Sequence, residues 1–190
     1  MGQQANPDPI RSGSAGALAD SQKLASILTL CQKMNSERDL NALLDLVVAE
    51  ASRLLDCERA SIFLFTPARD ELVSKVALGS EQTIRVRAGM GIAGAVAATG
   101  EMVTVNDAYG DPRFFPGVDD DTGYRTRNLL ALPLAGADGE TIGAFEILNK
   151  RVGTYTAEDT QIALSLAANA ALAIQNAQMI AELRPKPDPR

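Results

Sequence analysis

The chain has 190 residues, 46 % of them apolar, which is enough for one domain with a sizeable core and cramped for two. The net charge is −6 and Lys and Arg are scattered, which argues against a nucleic-acid-binding face. There is no histidine, a zero that removes Ser-His-Asp and Cys-His catalysis, His-ligated haem and most zinc sites.

Residues 1–17 are rich in Pro, Gly, Ser and Gln and read as a disordered segment. They hold no apolar stretch like that of a secretory signal, and Met-Gly is not followed by the Ser or Thr of a myristoylation pattern. No apolar run approaches the ~20 residues that span a bilayer, so the expectation is a cytoplasmic protein with no membrane partner. The folded domain is expected over residues 18–184, with a disordered tail over 185–190 (PKPDPR).

Leu24, Ile27, Leu28, Cys31 and Met34 keep helical spacing and predict a first helix ending near Met34. Asp39 reads as the cap of a second helix striped by Leu40, Leu43, Leu44, Val47, Ala51, Leu54 and Leu55. Arg59–Phe65 (RASIFLF) and Leu72–Leu78 predict a hairpin around Pro67–Asp70, and Thr83–Arg87 a short third strand. Gly91–Thr99 predicts a short helix, Met102–Val105 a strand, and Asn106–Arg127 a long polar loop. Asn128–Leu134 and Thr141–Leu148 predict a second hairpin around Gly136–Gly139.

The last element is a long helix from Thr156 to about Leu183, opened by a Thr156…Asp159 capping box. Ile162, Leu166, Ala170, Ile174 and Ala177 stripe one side, and Leu164, Ala171, Leu172 and Met179 leave apolar surface on others. A second helix or subunit must cover that surplus. One heptad register sets Ile162, Asn169, Asn176 and Leu183 with Leu166, Ala173 and Ile180 in a seam, which predicts a homodimer. The element order gives an α+β fold: an antiparallel sheet with helices on one face.

Gly89-Met-Gly91-Ile-Ala-Gly94 matches G-x-G-x-x-G, but the helix that follows stops at Gly100, too soon for a dinucleotide-binding crossover. Two readings stay open: an anion site at a helix N-terminus, or simply a tight strand-to-helix turn. Asp119-Asp120-Asp121 could chelate a hard cation, but the spacing is not that of an EF-hand and a solvated loop is the better reading; no metal site is expected. Glu146 alternates with Ala144 and Leu148 in an apolar strand, so it faces either the interior, where it needs a partner or ligand, or an open cleft. The two cysteines, Cys31 and Cys57, lie far apart and make no C-x-x-C, the pattern of buried thiols in a reducing compartment.

ASIFLF, the stretch from GMGIAG to GVDDDTGYRTRN, then ALPL, IGAFEILNK and the final helix resemble a GAF domain over about Leu24 to Leu183. The likeness is greatest to the GAF domains regulating cyclic nucleotide phosphodiesterases and cyanobacterial adenylyl cyclases, and the loop GVDDDTGYRTRN is its most specific part. The resemblance implies a six-stranded antiparallel sheet with the terminal helices on one face and a ligand pocket under a lid loop on the other. It implies a pocket of Ser61, Ile92, Ala93, Phe115, Asp119, Thr122, Thr126 and Glu146, with the cyclic phosphate at Gly91-Ile92-Ala93. It implies a supporting role for Asn149 and for the Lys150–Asp159 pair. Ala77 and Leu78 stand where the family's cyclic-nucleotide binders often carry Phe-Asp, losing base stacking and a base-edge hydrogen bond.

Bilin-binding relatives use a pocket cysteine, haem-binding ones a histidine and the free-methionine sulfoxide reductases three cysteines; this chain matches none of them, with Cys57 read as preceding the first strand. No cofactor and no catalytic residue is therefore expected. What remains is a sensor binding cAMP or cGMP, a GAF scaffold serving dimerisation or another small molecule, or, with the chemistry against it, an enzyme. No output domain is recognised in the sequence, so the expected partners are a small-molecule ligand, a second copy, and an output domain or signalling protein. In the lid, Thr126 is expected to matter to binding and Asp121 to face water.

Overall fold

The computed structural model describes residues 28–29, 32–34, 36–37, 39–77 and 83–183. The expected disordered segments at 1–17 and 185–190, Cys31 and Leu78 lie outside them. Of the predicted first helix, residues 28–29 and 32–34 are helical, and Met34 is fully buried.

Six strands make one antiparallel sheet: β1 Cys57–Phe65, β2 Glu71–Ala77, β3 Arg85–Arg87, β4 Val103–Val105, β5 Leu129–Ala135 and β6 Thr141–Lys150, in the order β3-β2-β1-β6-β5-β4. Side chains alternate across it. Ala60, Ile62, Leu64, Leu130, Leu132, Phe145 and Ile147 point to one face and form its core with two helices, α1 (Leu40–Leu54) and α4 (Ala157–Leu183). Phe63, Leu129, Ala131 and Ala144 point to the other and pack with α2 (Gly91–Thr99). Both faces are covered, which is why β1, β5 and β6 read as near-continuous apolar runs.

The helix starts are chemically specified. Asp39 accepts a hydrogen bond from the Ala42 N–H at 2.9 Å and caps α1. Thr156 and Asp159 cap α4 reciprocally: the Asp159 N–H donates to Thr156 Oγ1 at 3.1 Å and the Thr156 N–H to Asp159 Oδ2 at 2.9 Å.

Three sequence expectations need correction. Cys57 does not precede the first strand; it is the first residue of β1, fully buried in the core beneath α1 and α4. The stretch 106–127 is not wholly loop: it holds a 3-10 turn, Ala108–Gly110, and a short helix α3, Gly117–Thr122. The heptad seam on α4 is not free to dimerise, because Ile162, Leu166 and Ala173 are buried in the domain's own core. A true α-helix drifts about 20° per heptad against a 3.5-residue repeat. The large apolar side chains that α4 leaves exposed among the described residues are Leu164, Leu172, Met179 and Ile180, whereas Ala171, expected among the surplus, is fully buried. Among the described residues no helix is long and apolar enough to cross a membrane.

The junction of β3 and α2 positions the site and depends on glycine. Gly91 opens α2 at φ +65°, a left-handed conformation that only glycine adopts without strain. Gly94 lets the helix close on the strand: a Cβ there would lie 2.6 Å from the Arg87 carbonyl oxygen. Gly94→Ala is expected to destabilise the fold by about 2 kcal/mol, as overpacking does. Urea denaturation checks this; an unchanged midpoint would mean that β3 and α2 part without cost.

Candidate functional site

A cavity of about 380 Å³ lies between the α2 side of the sheet, the start of α2, β3 and the 106–127 segment. Its size is that of a small-molecule site. All eight residues expected to form a pocket line it: Ser61, Ile92, Ala93, Phe115, Asp119, Thr122, Thr126 and Glu146. Arg59, Tyr124, Phe114 and Leu148 also line it and were not anticipated. Arg59 was within reach of period-2 reasoning, since it shares a strand face with Ser61 two residues on.

The lid is organised around Asp119. Its carboxylate is buried and accepts from the Thr126 N–H at 2.6 Å, the Thr126 hydroxyl at 2.9 Å and the Tyr109 hydroxyl at 3.1 Å. Asp119 is thus the lid's internal tie rather than part of a solvated acidic loop, while Asp120 and Asp121 are exposed. Among the described residues no acidic, His or Cys group could hold a metal ion. Thr126 spends its proton on Asp119 and keeps only acceptor capacity for a ligand. The Thr122 hydroxyl donates to the Val118 carbonyl at 2.7 Å, inside α3. Phe115 is 61 % exposed at the rim.

Asn149 fastens the lid's end to the sheet. It is the penultimate residue of β6, at φ 57°, a region that Asn tolerates better than most residues, and is fully buried. Its Oδ1 accepts from the Arg127 N–H at 2.6 Å, and its Nδ2 donates to the Arg125 carbonyl at 2.9 Å and to Glu58 Oε2 at 3.0 Å. Glu58 also accepts from Arg127 at 2.8 Å and from the Tyr124 hydroxyl at 3.0 Å. These hydrogen bonds, Arg127's above all, hold the Glu58 carboxyl down at about 2. Lys150 pairs with Asp159 at 2.6 Å, joining the end of β6 to the start of α4. The supporting residues act on the site through these ties.

Glu146 sits on the cavity face of β6, opposite Ser61 of β1 and Ala131 of β5. The backbone N–H of Ala93, in the first turn of α2, faces it and favours its charged form. Burial outweighs that effect and pushes its carboxyl up to about 7. The first N–H groups of a helix lack partners within it, and Glu146 lies against one of them. The start of α2 is therefore an anion-accepting end with a carboxyl already against it.

Because Glu146 binds its proton more tightly folded than unfolded, it costs no stability below the unfolded value of about 4.5 and an increasing amount as pH rises to about 7. Glu146→Gln mimics the protonated acid. Its melting temperature is expected to match the parent's near pH 5 and exceed it near pH 8, as read by calorimetry across pH. A difference that does not change with pH would mean that Glu146 titrates normally.

A family model described as "GAF domain" matches residues 39–174. Curated relatives include a cGMP-specific 3',5'-cyclic phosphodiesterase of Drosophila sechellia, 29 % identical over 93 % of this chain and 17 % of the relative. Another is the dual 3',5'-cyclic-AMP and -GMP phosphodiesterase 11A of Takifugu rubripes, 33 % identical over 85 % of this chain and 19 % of the relative. The chain spans about a fifth of the length of these relatives. Among solved structures, the GAF domain of a phosphoenolpyruvate-protein phosphotransferase from Coxiella burnetii superposes with a TM-score of 0.75 at 22 % identity, over 85 % of this chain and 97 % of its own. The free methionine-R-sulfoxide reductase of Neisseria meningitidis superposes at 0.72 with 17 % identity, over 94 % and 97 %. These likenesses show the fold, and the family match assigns the chain: it belongs to the GAF domain family.

Proposed function

We propose that this GAF domain is a sensor whose cavity takes a cyclic nucleotide, cAMP or cGMP, and that occupancy is relayed through its terminal helices to an output domain or partner protein. The observation that carries this reading is the cavity itself: a helix start offering N–H groups, with polar side chains under a structured lid. Phosphodiesterases that act on cyclic nucleotides are among the relatives. The cyclic phosphate would lie at Gly91-Ile92-Ala93, where a protonated Glu146 gives up the Ala93 N–H and itself becomes a donor. Binding of another small molecule is the second reading, favoured by Ala77 in place of a stacking aromatic.

A thiol-based reaction is poorly served by Cys57, whose burial pushes its thiol up to about 11. A buried free thiol suits the cytoplasmic setting included in this proposal.

A ligand that binds only the folded state at a hundredfold excess over Kd adds about 2.7 kcal/mol. For a domain of this size that is a rise of roughly 5–10 °C in Tm. Millimolar cAMP or cGMP is expected to produce it in a thermal-shift assay; no shift with either would overturn the cyclic-nucleotide reading.

A second copy is the partner proposed for α4. Leu164 and Leu172 are 37 % and 43 % exposed two turns apart, and Met179 is 54 % exposed two turns further on. Light scattering is expected to give a dimeric mass that falls to monomer when Leu164 and Leu172 are both replaced by Glu. A monomeric parent protein would sink this assembly.

A further inference from the structure

Three arginines line the cavity, Arg59, Arg85 and Arg87, and of these Arg59 is half-buried while the other two are exposed. Arg85 pairs with Glu71, Arg113 with Asp111 and Arg127 with Glu58. Among the described residues, Arg59 has neither a carboxylate nor a carbonyl acceptor; its recorded contact is the ring of Tyr124, 3.8 Å from the guanidinium carbon. The ring is itself fixed, since the Tyr124 hydroxyl donates to Glu58 at 3.0 Å. Arg59 is half-buried and lines the cavity. A planar fork of N–H donors is thus held against an aromatic face beside an open volume, with its hydrogen bonds unspent.

Its place along β1 narrows what it could meet. Ser61 is paired with Glu146, which meets the start of α2, and Arg59 is paired with Leu148 one step further along the same face. Two residues of strand separate Arg59 from Ser61, about 6–7 Å. If the cyclic-nucleotide reading on which this inference rests holds, a phosphate at the start of α2 leaves the base on the Arg59 side. A guanidinium only donates. Guanine presents two adjacent acceptors, O6 and N7; adenine presents N7 beside an amino group that itself donates. We propose that Arg59, held flat on Tyr124, hydrogen-bonds the O6/N7 edge of guanine and makes this domain prefer cGMP to cAMP.

The test is calorimetric titration of both nucleotides into the parent protein, Arg59→Lys and Arg59→Ala, with unliganded melting curves to confirm that each variant is folded. The parent is expected to bind cGMP about tenfold more tightly than cAMP, the size of a good bidentate contact. Arg59→Lys keeps the charge and loses the fork, so the preference should shrink to within about twofold while cAMP affinity stays within about twofold. Arg59→Ala should do the same if it folds, and the Lys variant decides alone if it does not. Equal losses for both nucleotides would put the guanidinium on the shared phosphate or ribose and overturn the assignment, as would a preference that survives both substitutions. If neither nucleotide binds the parent protein, the underlying reading fails first and this inference falls with it.

Discussion

The site depends on one buried amide. Asn149, one residue before the end of β6, is in a left-handed conformation and connects the start of β1, through Glu58, with the chain that leaves the lid, at Arg125 and Arg127. Asn128, where the lid enters the sheet, returns the tie: its Oδ1 accepts from the Lys150 N–H at 2.9 Å and its carbonyl from the Asn149 N–H at 2.8 Å. Buried polar groups of this kind are stabilising only when every member is satisfied, and here each amide group of Asn149 has a partner. The lid is therefore fastened at one end whatever fills the cavity. Its other end runs through the short β4 and a 3-10 turn, held by the ladder to β5 and by the Ala108 N–H on the Arg127 carbonyl at 2.9 Å.

Around the cavity the polar groups divide by commitment. Asp119 and Thr126 are spent on each other, and Thr122 on the backbone of its own helix. Ser61, Arg59 and Glu146 lie in a patch of the sheet face where the charged groups carry no ion pair among the described residues. The first set builds the shape of the site. Of the second set, Ser61 and Arg59 are where a ligand would find hydrogen bonds that cost no internal one to make.

Much of this was legible in the sequence, for identifiable reasons. Period-2 alternation around Glu146 and the apolar run at Arg59–Phe65 located the central strands to within about two residues. The cavity residues came from resemblance rather than from pattern, and they do converge on one volume. Helix α3 was missed because Gly117–Thr122 is six residues long and carries three aspartates, with no apolar period to detect. Resemblance marked Asn149 as a supporting residue, but its partner Glu58, 91 positions away, had nothing local to mark it. The heptad on α4 misled because a 27-residue helix packed on a sheet buries a stripe of period 3.6, from which a 3.5 register drifts: Ile162, Leu166 and Ala173 are buried and Ile180 is exposed.

The edges of the sheet carry a further consequence. Both outermost strands, β3 and β4, are three residues long, and β3 carries Arg85 and Arg87. Edges that short, one of them charged, offer little template for another chain to extend. Backbone pairing at the sheet edges is thereby disfavoured, which fits the proposal that copies of this domain meet through the helical layer in a closed, finite assembly.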